Sequence, residues 1–100
     1  MIRIRVSEDA LEDLNNGFWF YDSQEAGLGD YFATNLKADI EGLKITGGIH
    51  RQAYKDFYRL LSRVFPYAVY YTMDDEGVIV WAVVDCRRHP EWIRQHLENK

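Results

Sequence analysis

Two groups of arginines are the residues in this chain best equipped for chemistry. Arg51, Lys55, Arg59 and Arg63 recur every four residues with only Asp56 opposing them, and Arg87-Arg88 form a second cluster. Residues four apart share a direction on a strand and nearly so on a helix, so the first series marks a basic face. A solvated face explains that spacing without any ligand. Should the two groups converge on a sheet, their planar guanidinium forks would suit phosphate or carboxylate, and would stabilise the developing anion of RNA cleavage.

The remaining reactive residues are sparse. His50, His89 and His96 are scattered. His89 and His96 are seven apart and could share a helix face, yet no third ligand accompanies them, so neither a metal nor a cofactor is expected. Cys86, the single cysteine, has two readings. Arg87-Arg88 beside it would lower the thiol pKa, whereas a lone cysteine ending an apolar strand is ordinarily a small buried hydrophobe, the reading preferred here. Gly27 and Gly29 precede a helix, but no strand leads directly into them and no Lys-Ser/Thr follows, so a phosphate loop is not expected.

The elements that must position these residues follow from periodicity. Ile2, Ile4 and Val6 alternate with Arg3 and Arg5, which predicts a strand over residues 1–6 with one charged face. Ser7 is an N-cap followed by Glu8 and Asp9 at the positive end of a helix dipole. Leu11, Leu14, Phe18 and Tyr21 then carry helix 1 to about residue 24. Gly17 inside it implies a bend or a close packing contact. Gly27 and Gly29 turn the chain, and Leu28, Phe32, Leu36, Ile40 and Leu43 form the apolar stripe of a second helix stopped by Gly47-Gly48. An antiparallel helix pair results.

Residues 49–54 read as a connecting loop. Strands are predicted at 55–62, 66–73 and 77–85, the last two joined by a turn at Asp74-Asp75-Glu76-Gly77. The last strand is apolar almost throughout, as a strand covered on both faces should be. His89-Pro90-Glu91 opens a final helix with Trp92, Ile93 and Leu97 on its apolar side. Phe18-Trp19-Phe20-Tyr21 sweeps about 300° around helix 1, so these rings cannot all enter one core. They are either sandwiched between sheet and helix 2 or partly an interface.

Composition bounds the answer. One hundred residues, 47% hydrophobic and 15% aromatic, predict one folded domain spanning 1–100. Twelve basic against sixteen acidic groups leave a net charge of −4, which disfavours an unspecialised nucleic-acid binder. The acidity is uneven: residues 1–50 carry four basic and nine acidic groups, residues 51–100 eight and seven. No apolar run approaches the ~20 residues of a membrane span, and Met1 to Arg5 lack the features of a secretory leader, so a cytoplasmic protein without membrane contact is expected.

Leu14 to Tyr21, "GLGDYF" at 27–32, "FYRLLSRVFPYAVYY" at 57–71 and "AVVDCRRHPEWI" at 82–93 together resemble the RelE/ParE family of type II toxin–antitoxin toxins, the plasmid stabilisation proteins. The resemblance spans nearly the whole chain. It implies an α+β single domain in the order β-α-α-β-β-β-α, with an N-terminal strand and helical hairpin packed on an antiparallel sheet of about four strands and a short C-terminal helix. It also implies a growth-inhibiting toxin held in a hetero-oligomer by a cognate antitoxin, whose partly disordered segment folds across it.

RelE-like members cleave mRNA on the ribosome, and ParE-like members poison DNA gyrase. For the nuclease the candidate catalytic residues are Arg59, Arg63, Arg87 and Arg88, with His89 or His96 as acid or base. Two departures from the nuclease pattern, Tyr67 at a strand position that usually carries arginine and no tyrosine after Tyr71, place the chain closer to the ParE-like branch. A non-toxic binding module that keeps the fold is the other expectation.

Overall fold

The computed structural model describes residues 2–98 and Lys100, and among these the chain's alternation, caps and turns produce nine elements. They are β1 (Ile4–Val6), α1 (Glu8–Asp22), α2 (Leu28–Glu41), α3 (Leu43–Thr46), β2 (Gln52–Tyr54), β3 (Phe57–Leu61), β4 (Tyr67–Asp74), β5 (Gly77–Asp85) and α4 (Pro90–Glu98). The Ser7 hydroxyl accepts from the Ala10 N–H at 3.0 Å, so α1 starts where the cap stands. Two glycines let the helices of the hairpin close on each other. A Cβ on Gly17 would lie 2.5 Å from the Phe32 ring, and one on Gly29 would lie 2.6 Å from the Phe18 carbonyl oxygen. Gly17 is therefore a packing contact.

Five strands form one sheet in the order β1-β5-β4-β3-β2. β1 runs parallel to β5, and every other pairing is antiparallel. The expectation of an antiparallel sheet of about four strands is corrected on both counts. The strand expected at 55–62 and part of the loop expected at 49–54 are instead a hairpin, β2–β3. It turns at Lys55, whose φ is +49°. A lysine in the left-handed region carries no compositional turn signal, which is why the hairpin escapes a reading by residue type. The chain leaves the helical hairpin into β2 antiparallel to β1, and the three reversals β2-β3-β4-β5 then bring β5 alongside β1 in the same direction. α2 ends one residue before Gly42, and α3 is a separate single turn after it.

α1 and α2 cover one face of the sheet. Leu14, Tyr21, Phe32, Leu36 and Ile40 pack there against Val69, Tyr71, Val78, Val80 and Val83. The opposite face holds a smaller cluster of Ala68, Tyr70, Ala82 and Val84, closed by Leu97 and Ile93 of α4. Between Tyr70 and Tyr71 the β4–β5 register shifts by one residue. The extra residue, Trp81, is bulged, and its indole N–H donates to the Thr72 hydroxyl at 2.8 Å.

Candidate functional site

The side of the sheet away from the helical hairpin is where the arginines meet. Arg59 lies in the middle of β3, opposite Tyr70 of β4. α4 crosses only the end of this face, and a groove of about 230 Å³ remains beside it, lined by Arg59, Tyr70, Cys86, Arg88 and Arg94 with Ile93 of α4. Three guanidiniums thus come from three elements: a strand, the turn after β5, and a helix. Among the described residues no carboxylate lines the groove, so its lining is cationic and of a kind that suits an anion.

Each guanidinium is held differently. Arg88 stacks over the Trp92 indole, 4.1 Å from the ring centroid. Arg94 meets Glu91 one turn earlier at 3.6 Å, both side chains more than half exposed, a contact too loose and too solvated to neutralise it. Arg59 makes no ion pair among the described residues. Burial pushes the Tyr70 phenol above its ordinary value, and Arg59 pulls it partly back. The Cys86 thiol is also raised, chiefly by desolvation and against the pull of Arg59. Cys86 is an exposed residue of the turn rather than a buried hydrophobe, and its thiol is not acidified. Both expectations for it are corrected, because the chain leaves the sheet at Asp85 and because the groove wall removes water from the sulfur.

Of the six residues singled out from sequence, Arg59 and Arg88 reach the groove and Arg63, Arg87, His89 and His96 do not. Arg63 follows β3 onto the other side, where its Nε meets the Asp39 carboxylate of α2 at 3.2 Å. Ser62 donates to the same carboxylate at 2.9 Å. Asp39 is 9% exposed, so Arg63 balances a buried charge. Arg87 closes a two-pronged pair with Asp85 at 2.9 and 2.7 Å and lies beside the phenols of Tyr21 and Tyr67, on the helical-hairpin side. That pair holds the Asp85 carboxyl below its usual range. His89 uses Nδ1 to accept from the Glu91 N–H at 3.1 Å, the geometry of an N-cap, which leaves that nitrogen unavailable as a base. Arg51 and Lys55 leave the series at the β2–β3 hairpin.

Arg94 and Tyr70 are groove residues that the basic spacing does not mark. Arg94 was detectable in principle, since it adjoins Ile93 on the helix surface that Ile93 and Leu97 press against the sheet. Tyr70 had no such signal. A second pair escapes any local reading: the His96 Nε2 lies 3.2 Å from Asp13 Oδ2, across 83 residues. Asp13 also accepts the Val83 N–H at 3.0 Å, at the part of β5 beyond its pairing with β1. These two residues border an opening of about 340 Å³ between α1 and α4. Their contacts dock α4 against α1.

The aromatic run divides between core and surface. Tyr21 enters the core and stacks on Phe32 at 5.1 Å, while Trp19 and Phe20 remain 60% and 49% exposed. Among the described residues no group of three metal-capable side chains occurs, and no helix is long and apolar enough to cross a membrane.

No family model and no curated protein matches the chain. Solved structures do. A chain of the chromosomal ParDE TA system from P. aeruginosa superposes with a TM-score of 0.78 over 85% of this chain and 96% of that one, at 9% identity. The intact E. coli RelBE toxin–antitoxin complex supplies a chain with TM-score 0.60, 22% identity, and coverage of 88% and 100%. The isolated E. coli RelE toxin gives 0.59 at 19% identity over the whole of both chains. At such identities the likeness is one of fold: the α+β architecture described above is that of these ParDE and RelBE chains, with the higher score on the ParDE side.

Proposed function

We propose, on the premise of that shared fold, that the chain is the toxin of a type II toxin–antitoxin pair, neutralised by a cognate antitoxin and inhibiting growth in the ParE-like manner, by binding a target such as DNA gyrase. The observation that carries this reading is the superposition on almost the full length of the ParDE chain. The groove chemistry supports binding over cleavage. Cleavage of RNA by its own 2′-hydroxyl needs a group to take a proton and another to give one. The titratable groups in the groove other than arginine are Cys86 and the tyrosines, and Cys86 and Tyr70 are pushed up by burial, so both stay protonated at neutral pH.

A second reading is a ribosome-dependent mRNA endonuclease of the RelE kind. Three guanidiniums around one groove favour it, because they would hold a phosphate and stabilise added negative charge. Induction of the chain in a bacterium lacking its antitoxin tests both. Growth arrest is expected; filamentation with relaxed or cleaved plasmid supports gyrase, and an immediate stop in translation supports the endonuclease. Undisturbed growth at confirmed soluble expression overturns the toxin reading.

A further inference from the structure

The segment that joins α3 to β2 is fastened to the sheet through a single oxygen atom. The Gly48 N–H donates to the Tyr71 phenol oxygen at 3.0 Å, and His50 Nδ1 lies 2.6 Å from the same oxygen. The Ile49 N–H is spent locally, on the Thr46 carbonyl at 3.1 Å. Among the described residues no other hydrogen bond ties 48–50 to the sheet. Burial does not hold the segment either, since Ile49 is 74% exposed. Tyr71 of β4 is the reverse: it is fully buried, stacked on Tyr58 of β3 at 5.1 Å, with the His50 ring edge-on to it.

The direction of these bonds follows from counting protons. A phenol has one proton to donate, and a neutral imidazole has one donor nitrogen and one acceptor. Were Nδ1 the donor, the Tyr71 oxygen would accept twice and its own proton would be left without a partner inside the core, a costly arrangement. Tyr71 therefore donates to Nδ1, and the hydrogen of neutral His50 sits on Nε2. Burial pushes the Tyr71 phenol above its ordinary value, so that proton is present at neutral pH. Burial also pushes the His50 imidazole below its ordinary 6.5. The titratable group facing the pair is Tyr58. Of the charged neighbours along the chain, Lys44 of α3 is paired with Glu41 and Arg51 is exposed. Among the described residues no carboxylate bonds the His50 ring to compensate a charge on it.

We propose that Tyr71 and His50 form an acid-sensitive latch: neutral His50 closes the connector between α3 and β2 onto the sheet, and protonated His50 releases it while the rest of the fold persists. Protonation places a hydrogen on Nδ1 against a phenol that has just lost its acceptor, and opening relieves both faults at once. Because the folded chain binds the His50 proton less readily than the open one, the closure is complete above pH 6.5 and is lost as pH falls through the lower folded value. Gly48, at φ +91°, lies in the connector itself. β2 follows directly, and its Ala53 and Tyr54 line the arginine groove on the other face, so release of the connector reaches that groove. The latch goes beyond the toxin reading and does not depend on it.

The test is an NMR pH titration of the full chain that reads the His50 ring nitrogens and amide hydrogen exchange together. On the alkaline side Nδ1 should appear as a bare acceptor and Nε2 as the protonated nitrogen. As pH falls through the His50 transition, expected below 6.5, protection of the Gly48 amide, taken relative to an unstructured peptide at the same pH, should drop about fivefold, the worth of one such hydrogen bond. Tyr54 signals should shift with the same midpoint, while the amides of β4 and β5 keep their protection. His50→Asn sets an amide oxygen where Nδ1 stands and cannot titrate, so it should hold Gly48 closed at every pH. His50→Ala should show the open level at every pH. A hydrogen on Nδ1 at neutral pH, Gly48 protection that ignores the His50 transition, an unchanged pH dependence in His50→Asn, or loss of β4 and β5 protection at the same midpoint overturns the proposal. Growth arrest plays no part in these measurements, so failure of the toxin reading leaves the latch standing and failure of the latch leaves the toxin reading.

Discussion

The sheet face beneath α1 and α2 and the face beneath α4 differ in cover and in what stands on them. On the first, two helices of 15 and 14 residues press Phe32, Leu36 and Tyr21 into a continuous layer, and its one buried carboxylate, Asp39, is answered by Ser62 and Arg63. On the second, a helix of nine residues reaches only the end of the strands, and Arg59 stands beside Tyr70 in a groove that no carboxylate lines among the described residues. Charge on the first face is neutralised because it is buried; on the second, Arg59 stands without an ion pair among the described residues. An arginine's role in this molecule thus follows from the face it occupies rather than from its spacing.

The largest effects should come from the first face. Phe32→Ala removes a fully buried ring that touches Gly17 and Tyr21 and should lower unfolding free energy by about 4 kcal/mol, against about 2 for Leu97→Ala under α4. Urea denaturation measures both, and equal losses would erase the contrast between the faces. Arg63→Ala should cost about 1–2 kcal/mol, because Asp39 keeps only Ser62 as a partner, and should leave growth arrest intact.

The reverse pattern is expected of Arg59→Ala combined with Arg88→Ala and Arg94→Ala: growth arrest weakens, while the urea midpoint stays within the range of surface substitutions, about 0.5 kcal/mol each. Should Arg63→Ala abolish arrest and the triple variant preserve it, the assignment of roles to faces is wrong. The smallest effect is electrostatic. Arg87 holds the Asp85 carboxyl below its ordinary value, so the folded state binds that proton less readily than the unfolded chain. The stability this contributes is complete above the usual aspartate value of about 4 and is lost as pH falls through the lower folded value. Asp85→Asn should therefore lower the neutral plateau of a stability–pH curve slightly and flatten its acid side, the two curves meeting at low pH.

Much of the fold was legible. The Ser7 cap, the stripe from Leu28 to Leu43, the turn before Gly77 and the Pro90 start of α4 are local signals, and local interactions produce them. The β2–β3 hairpin was not legible because Lys55 adopts a backbone region for which lysine has no preference. The site was legible only in part. Arg59 and Arg88 stood out as cations, but Arg94 and Tyr70 belong to the groove through contacts between elements distant along the chain.

By itself, the sequence determined which segments become helix or strand and which side chains seek the interior, because periodicity and capping act over a few residues. Tertiary structure decided how charge is distributed between the two faces. One residue of register, one bulge at Trp81 and one turn at Lys55 determine the face on which each arginine emerges, and a side chain that alternates with period two has no other way to choose.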